Sequence, residues 1–139
     1  MQLSEALKNY LAEELRIVSE KIDQAPNPID QAFFFSAAWA AVQRVLNIEY
    51  DPRLVLIHLV CLTTHSAIAS RLQALKEDRE ASIKVDSVAV SHALSALMRE
   101  LSARIKNDED VWDVLERLSV ISYSATGNGA YLASIGRLR

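Results

Sequence analysis

The chain has few residues that make turns, and this limits the folds open to it. It contains three glycines and three prolines among 139 residues, whereas a fold of many short strands needs such residues at most of its turns. No segment alternates apolar and polar residues over any length, and no internal repeat is evident. These features predict a few long helices joined by short connections.

Capping residues indicate where the first three helices begin. Ser4 is predicted to cap helix 1, because its hydroxyl can accept hydrogen bonds from the free amides of the first turn. Asn27-Pro28 and Asp51-Pro52 each place a capping residue before a proline, which suits the first position of a helix. These pairs predict the starts of helices 2 and 3, which we expect to run to about Asn47 and Arg79.

The second half of the chain has weaker signals. A charge cluster after helix 3 predicts a solvated loop, and Asp86 or Ser87 at its end is expected to cap helix 4. Asn107 or Asp108 is expected to end helix 4 and to cap helix 5. A last short helix is predicted over residues 130–138.

Helices 1, 4 and 5 each carry one apolar stripe at helical spacing. The predicted core residues are Leu7, Leu11, Leu15, Val18 and Ile22 in helix 1, Val90, Leu94, Leu97, Leu101 and Ile105 in helix 4, and Val111, Val114, Leu115, Leu118 and Ile121 in helix 5. Helix 3 is apolar around its whole circumference, which is typical of a central helix. The sequence therefore predicts one all-α domain over residues 1–139, a bundle of five to six helices with helices 2 and 3 central.

Helix 2 contains three consecutive phenylalanines, Phe33 to Phe35. Adjacent helical residues are about 100° apart, so three of them span about 200° and cannot all face one core. On a helical wheel Phe34 and Phe35 fall on the predicted core face, together with Ala38, Trp39, Val42, Val45 and Leu46. Phe33 falls outside it, in line with Ala37, Ala40 and Arg44. An aromatic residue beside small residues and an arginine is typical of a protein interface, so this stripe predicts contact with a protein partner or with a second copy in a dimer.

Charge and cysteine content exclude several classes of function. The net charge is −3 and the pI is near 5.6, which argues against a broad nucleic-acid footprint or a basic membrane surface. The single Cys61 excludes an internal disulfide and fits a reducing compartment. The N-terminal residues do not resemble a signal peptide, and no membrane span is expected. We therefore expect a cytoplasmic protein.

Helix 3 carries the residues that come nearest to a chemical site. His58, Cys61 and His65 lie on one side of the helix and are potential metal ligands. The two histidines are seven residues apart, about 10.5 Å along the axis, too far to share one ion. Further ligands would have to come from other helices, and acidic residues are scarce on their apolar faces, so no metal is predicted.

The segment from Arg53 to His58 resembles the Arg-x4-His motif of the HEPN ribonucleases, an all-helical class of similar size. The resemblance covers six residues and implies that the arginine and histidine act on an RNA phosphate. A haem site is not expected, because His92 falls on the polar face of helix 4 and could not face a pocket. No cofactor is predicted.

The absence of a complete catalytic constellation favours a non-enzymatic bundle that acts through protein contacts, as a subunit, adaptor or homo-oligomer. Two alternatives remain at this point. One is the ribonuclease that uses Arg53 and His58. The other is a helical subunit of a nucleoprotein complex that contacts RNA or DNA through C-terminal arginines, namely Arg99, Arg104, Arg117, Arg137 and Arg139.

Overall fold

The protein is a bundle of helices in its computed structural model, which describes residues 3–76 and 87–126. The five helices are α1 (Glu5–Gln24), α2 (Pro28–Leu46), α3 (Pro52–Lys76), α4 (Ser87–Lys106) and α5 (Trp112–Thr126). No strand occurs within these two ranges. The prediction of an all-α bundle is confirmed. The charged loop, the predicted end of helix 3 at Arg79 and the predicted sixth helix at 130–138 lie outside the described residues.

The predicted starts of the first three helices are confirmed by their hydrogen bonds. The Ser4 hydroxyl accepts a bond of 3.3 Å from the Leu7 amide, and the Asn27 side chain accepts one of 2.9 Å from the Asp30 amide. The Asp51 carboxylate accepts a bond of 2.8 Å from the Arg53 amide. Each side chain satisfies an amide that has no partner inside its helix.

The junction of α4 and α5 differs from the prediction in one respect. Helix α4 ends at Lys106, and Asp108 follows with a φ of 59°, a left-handed conformation that commonly ends helices. The predicted end of helix 4 is therefore confirmed. The prediction that Asn107 or Asp108 caps helix 5 is wrong, because α5 begins at Trp112, whose amide donates to the Asp110 carboxylate at 3.0 Å.

The helices pack in a ring in the order α1, α2, α3, α5 and α4, which returns to α1. Helix α2 also contacts α4 across the ring. The largest fully buried side chains come from all five helices and include Leu11, Leu15, Phe35, Leu54, Met98, Leu101 and Leu118. One continuous core therefore holds the described residues together.

The predicted core stripes are largely confirmed. All five residues predicted for helix 5 are buried, as are four of the five in helix 1, while Leu7 is half-buried. In helix 4 the predicted residues from Leu94 to Ile105 are buried, and the side chain of Val90 lies outside the described residues. In α2, Phe35 is buried and Phe34 is half-buried against the core.

Helix α3 is less enclosed than predicted. It contacts α2 and α5, and its outer side exposes Leu56, Leu59 and Leu62 by 46%, 50% and 36%. Helix α2 also has an outer side, on which Phe33 is exposed. The central position predicted for helices 2 and 3 is therefore not confirmed. A helix that is apolar all round has no polar face to show which side lies outward.

Because Phe35 is buried and Phe33 is exposed, the same substitution should have very different effects on stability at these two positions. Phe35→Ala should lower the free energy of unfolding by about 3–5 kcal/mol, because it removes a fully buried ring and leaves a cavity. Phe33→Ala should change it by less than about 0.5 kcal/mol, since that ring is mostly in solvent. Urea unfolding followed by circular dichroism measures both; equal losses would contradict this placement of the two rings.

Candidate functional site

The stripe predicted on helix 2 lies on the outside of α2. We call Phe33, Ala37, Ala40 and Arg44 the α2 stripe. Phe33 is 68% exposed, and its ring packs edge-on against Phe34 with a centroid distance of 5.6 Å. Ala37 is exposed and Ala40 is half-buried. The stripe therefore presents an aromatic ring to solvent, followed by two small residues.

Arg44, at the end of the α2 stripe, is held by α1. Its Nε donates to the Tyr10 hydroxyl at 2.7 Å, and its Nη2 lies 3.8 Å from a Glu14 carboxylate oxygen. The guanidinium thus fixes one edge of the α2 stripe to the neighbouring helix. Arg44 is therefore already engaged within the molecule, which could not be seen from its place on the predicted stripe.

Exposed apolar residues also occur outside the α2 stripe. Ile29, in the first turn of α2 and one turn before Phe33, is 65% exposed. No charged residue occurs in α3 between Leu54 and Ser70. The segment Pro52–Ser70 of α3 is long and apolar enough to cross a membrane by length and composition alone, with a mean hydropathy of 1.4, a property shared with core helices of soluble proteins.

The outer face of α1 has the opposite character. Arg16 there forms ion pairs with Glu13 and Glu20, all three side chains being about half exposed. The charged side of the ring and its uncharged side are therefore distinct surfaces, and exposed leucines lie on the uncharged side.

A shallow cleft of about 180 Å³ separates α3 from α5. It is lined by Leu59, Val60, Thr63, Thr64, Ser119 and Ser122. Two of these hydroxyls donate to carbonyls of their own helices, Thr64 to Val60 at 2.8 Å and Ser119 to Leu115 at 2.9 Å. No charged side chain lines the cleft, so it offers no group for acid–base or phosphate chemistry.

The two histidines of α3 lie against the aromatic residues of α2. The Trp39 ring stands edge-on to His58, with centroids 6.0 Å apart, and lies 6.4 Å from the His65 ring. Phe35 is also 6.4 Å from His65. The Trp39 Nε1 and the His58 Nε2 are buried and have no hydrogen-bond partner among the described residues. We call Phe35, Trp39, His58 and His65 the α2–α3 joint.

Cys61 lies on the buried side of α3 and has the properties of a core residue. It is completely buried, and burial raises the pKa of its thiol to about 12. Within residues 3–76 and 87–126, no group of three His, Cys, Asp or Glu side chains could hold a metal ion. The arrangement gives a metal at His58, Cys61 and His65 no support.

The Arg53 and His58 pair is not arranged as a phosphate site. Arg53 is partly exposed in the first turn of α3, with its Nε 3.8 Å from the Asp51 carboxylate. The Nε2 of His58 is buried in the α2–α3 joint. The two side chains therefore point to different surroundings, and the ribonuclease hypothesis gains nothing from the geometry.

The described arginines of the nucleic-acid hypothesis all pair with carboxylates. Arg99 lies 2.7 Å from Asp23. Arg104 and Arg117 both contact Glu100 at 2.7 Å, and both also pair with Asp113. Arg117 holds the pKa of Glu100 below its usual value. These guanidinium groups are neutralised within the molecule, while Arg137 and Arg139 lie outside the described residues.

The chain matches no protein-family model, and no curated protein or solved structure shows a significant similarity to it. The function is therefore inferred from the exposure, contacts and charges of the described residues.

Burial of Cys61 predicts that its thiol is protected until the protein unfolds. Reaction with a disulfide reagent at pH 8 should be limited to the open fraction of molecules, roughly one in a thousand or fewer, and should reach the rate of a free thiol in urea. Cys61→Ser supplies the blank. Equal reaction rates with and without urea would contradict the burial of this side chain.

Proposed function

We propose that this protein is a non-enzymatic helical subunit that acts through protein contacts, with the α2 stripe as its docking surface. The observation that carries the proposal is the 68% exposure of Phe33, next to two phenylalanines that pack in or against the core. A large exposed aromatic ring gains most from burial against a partner.

A second copy of the chain is the partner that the α2 stripe suits best. Phe33 projects as a knob, and Ala37 and Ala40 leave a shallow groove one and two turns along the same face. Two antiparallel copies of such a stripe are self-complementary, because the knob of each faces the groove of the other. This is the isologous arrangement of a two-fold dimer.

The surroundings of the stripe support an interface with a polar rim. Arg44 forms the polar end of the α2 stripe, and its partners Tyr10 and Glu14 border the stripe on the α1 side. Further charged groups of α1 are paired with one another. An apolar centre flanked by charged groups is the usual composition of such contacts. A cytoplasmic location remains part of the proposal and is supported by the free, buried Cys61.

Contact with RNA or DNA is the less supported alternative. Phosphate binding by Arg99, Arg104 or Arg117 would compete with the ion pairs that these residues form. Affinity for labelled RNA that falls steeply with salt would favour this alternative over the protein contact.

The proposal predicts that one charge on the α2 stripe disrupts self-association. In sedimentation velocity, the wild type should form dimers, and Phe33→Asp should weaken the dimer by at least about 30-fold, since it buries a carboxylate at the centre of the contact. Thermal unfolding followed by circular dichroism should show that the Phe33→Asp fold is retained.

Val120→Asp is the matched control. Val120 is also an exposed apolar residue, at 62%, but it lies on α5, outside the α2 stripe. This variant should dimerise as the wild type does. A wild type that stays monomeric at high concentration, with no change on Phe33→Asp, would overturn the dimer.

A further inference from the structure

The α2–α3 joint brings two imidazoles into surroundings that provide no opposite charge. His58 and His65 are half-buried against Trp39 and Phe35. Helix α2 has no charged residue from Gln31 to Gln43, and α3 has none from Leu54 to Ser70. The nearest ionisable group on the same side of α3 is Cys61, which burial keeps as the neutral thiol.

The other helices packed against α2 and α3 do not supply a carboxylate either. On α1, Tyr10 and Glu14 lie beside Arg44, at the far end of α2 from Phe35. Helix α5 faces α3 with Leu118 and with the hydroxyls of the cleft. Its Asp113 and Arg117 pair with each other and with residues of α4.

The remaining acidic and basic groups of α4 are also engaged elsewhere. Glu100 and Arg104 belong to the network with α5, and Arg99 reaches Asp23 of α1. Lys106 interacts electrostatically with Glu13 of α1. Helix α4 meets α2 across the core, where Leu94, Met98 and Leu101 are buried. Among the described residues, a proton placed on the His65 imidazole therefore meets no negative partner.

Burial at the α2–α3 joint favours the neutral imidazole of His65. This ring is half-buried and lies 6.4 Å from the rings of both Trp39 and Phe35. A proton on it would place a cation against aromatic side chains, beside stretches of α2 and α3 that carry no charged residue. Desolvation therefore lowers the pKa of His65 below its ordinary value.

We propose that the α2–α3 joint is a pH-sensitive contact that holds the two helices together while the His65 imidazole is neutral and loosens when that imidazole gains a proton. The stability due to His65 is complete above pH 6.5, the ordinary pKa of an unfolded histidine. It decreases as the pH falls from that value towards the lowered pKa of the folded protein, since the unfolded chain then binds more protons.

Unfolding in urea at pH 7.5 and pH 5.5 tests the proposal. A histidine that stays neutral when folded and titrates at 6.5 when unfolded shifts the folding equilibrium about ten-fold across this range. When the pH is lowered from 7.5 to 5.5, the folding equilibrium constant of the wild type should therefore fall by up to about ten-fold more than that of His65→Gln. Trp112→Phe, a change at an exposed residue, leaves Trp39 as the fluorescent reporter of the joint in this chain with two tryptophans.

His92→Gln is the matched control, because His92 is the third histidine of the chain and is exposed on α4. It should keep the pH dependence of the wild type. Imidazole proton resonances of the unmodified protein give a second readout, which does not depend on any variant folding. A titration of His65 at or above pH 6.5, or equal pH dependence in the wild type and His65→Gln, would overturn the proposal.

Discussion

The contact between α1 and α4 closes the ring on which the other placements depend. These helices are far apart in sequence, yet the hydroxyls of Ser19 and Ser95 lie 3.1 Å apart in the core, and the Ser102 hydroxyl donates to the Ala12 carbonyl. These small buried residues let the two helices approach closely. Each of the three hydroxyls has a hydrogen-bond partner, so its burial is not costly. Lys8, which pairs with Asp108 at 3.1 Å, joins the start of α1 to the end of α4. With α1 held between α2 and α4, the inner face of α2 is defined, so Phe35 points inward and Phe33 does not.

Features that depend on neighbouring residues in the chain could be predicted well. Ser4, Asn27 and Asp51 cap helices because each cap needs only an oxygen and an amide two or three residues away. The stripes of helices 1 and 5 follow the period of a single helix, so they required no knowledge of the partners. The start of α5 was missed because four acidic or amide residues, 107–110, compete for one cap. The sequence does not show that Asp108 is used for its left-handed backbone and Asp110 for its side chain.

The candidate site depends on which helices become neighbours, so less of it than of the helices could be predicted from the sequence. His58, Cys61 and His65 were correctly grouped on one side of helix 3, but only the register of α2 against α3 places Trp39 beside the histidines. The roles of Ser19 and Ser95 were missed because serines in an apolar stripe give no sign of their partner. The sequence indicated that the C-terminal arginines could form a cationic group. Their carboxylate partners on the other helix become evident only when α4 and α5 pack together. The exposed side of α3 could not be predicted, because no polar face distinguishes it.

Charge is distributed unevenly around the ring of helices, and the α2 stripe and the α2–α3 joint both lie where charge is scarce. Ion pairs lie on the outer side of α1 and between α4 and α5, while the middle of α2 and most of α3 are uncharged. The exposed apolar side chains of α2 and α3 and the two imidazoles of α3 therefore lie on the same, uncharged side of the ring. If the proposed partner on the α2 stripe binds the closed α2–α3 joint more tightly than the loosened one, its binding favours the neutral imidazole of His65. By thermodynamic reciprocity, protonation of His65 then weakens the partner's binding by the same factor. Under that condition partner binding and proton binding are antagonistic, although the partner need not touch the histidine.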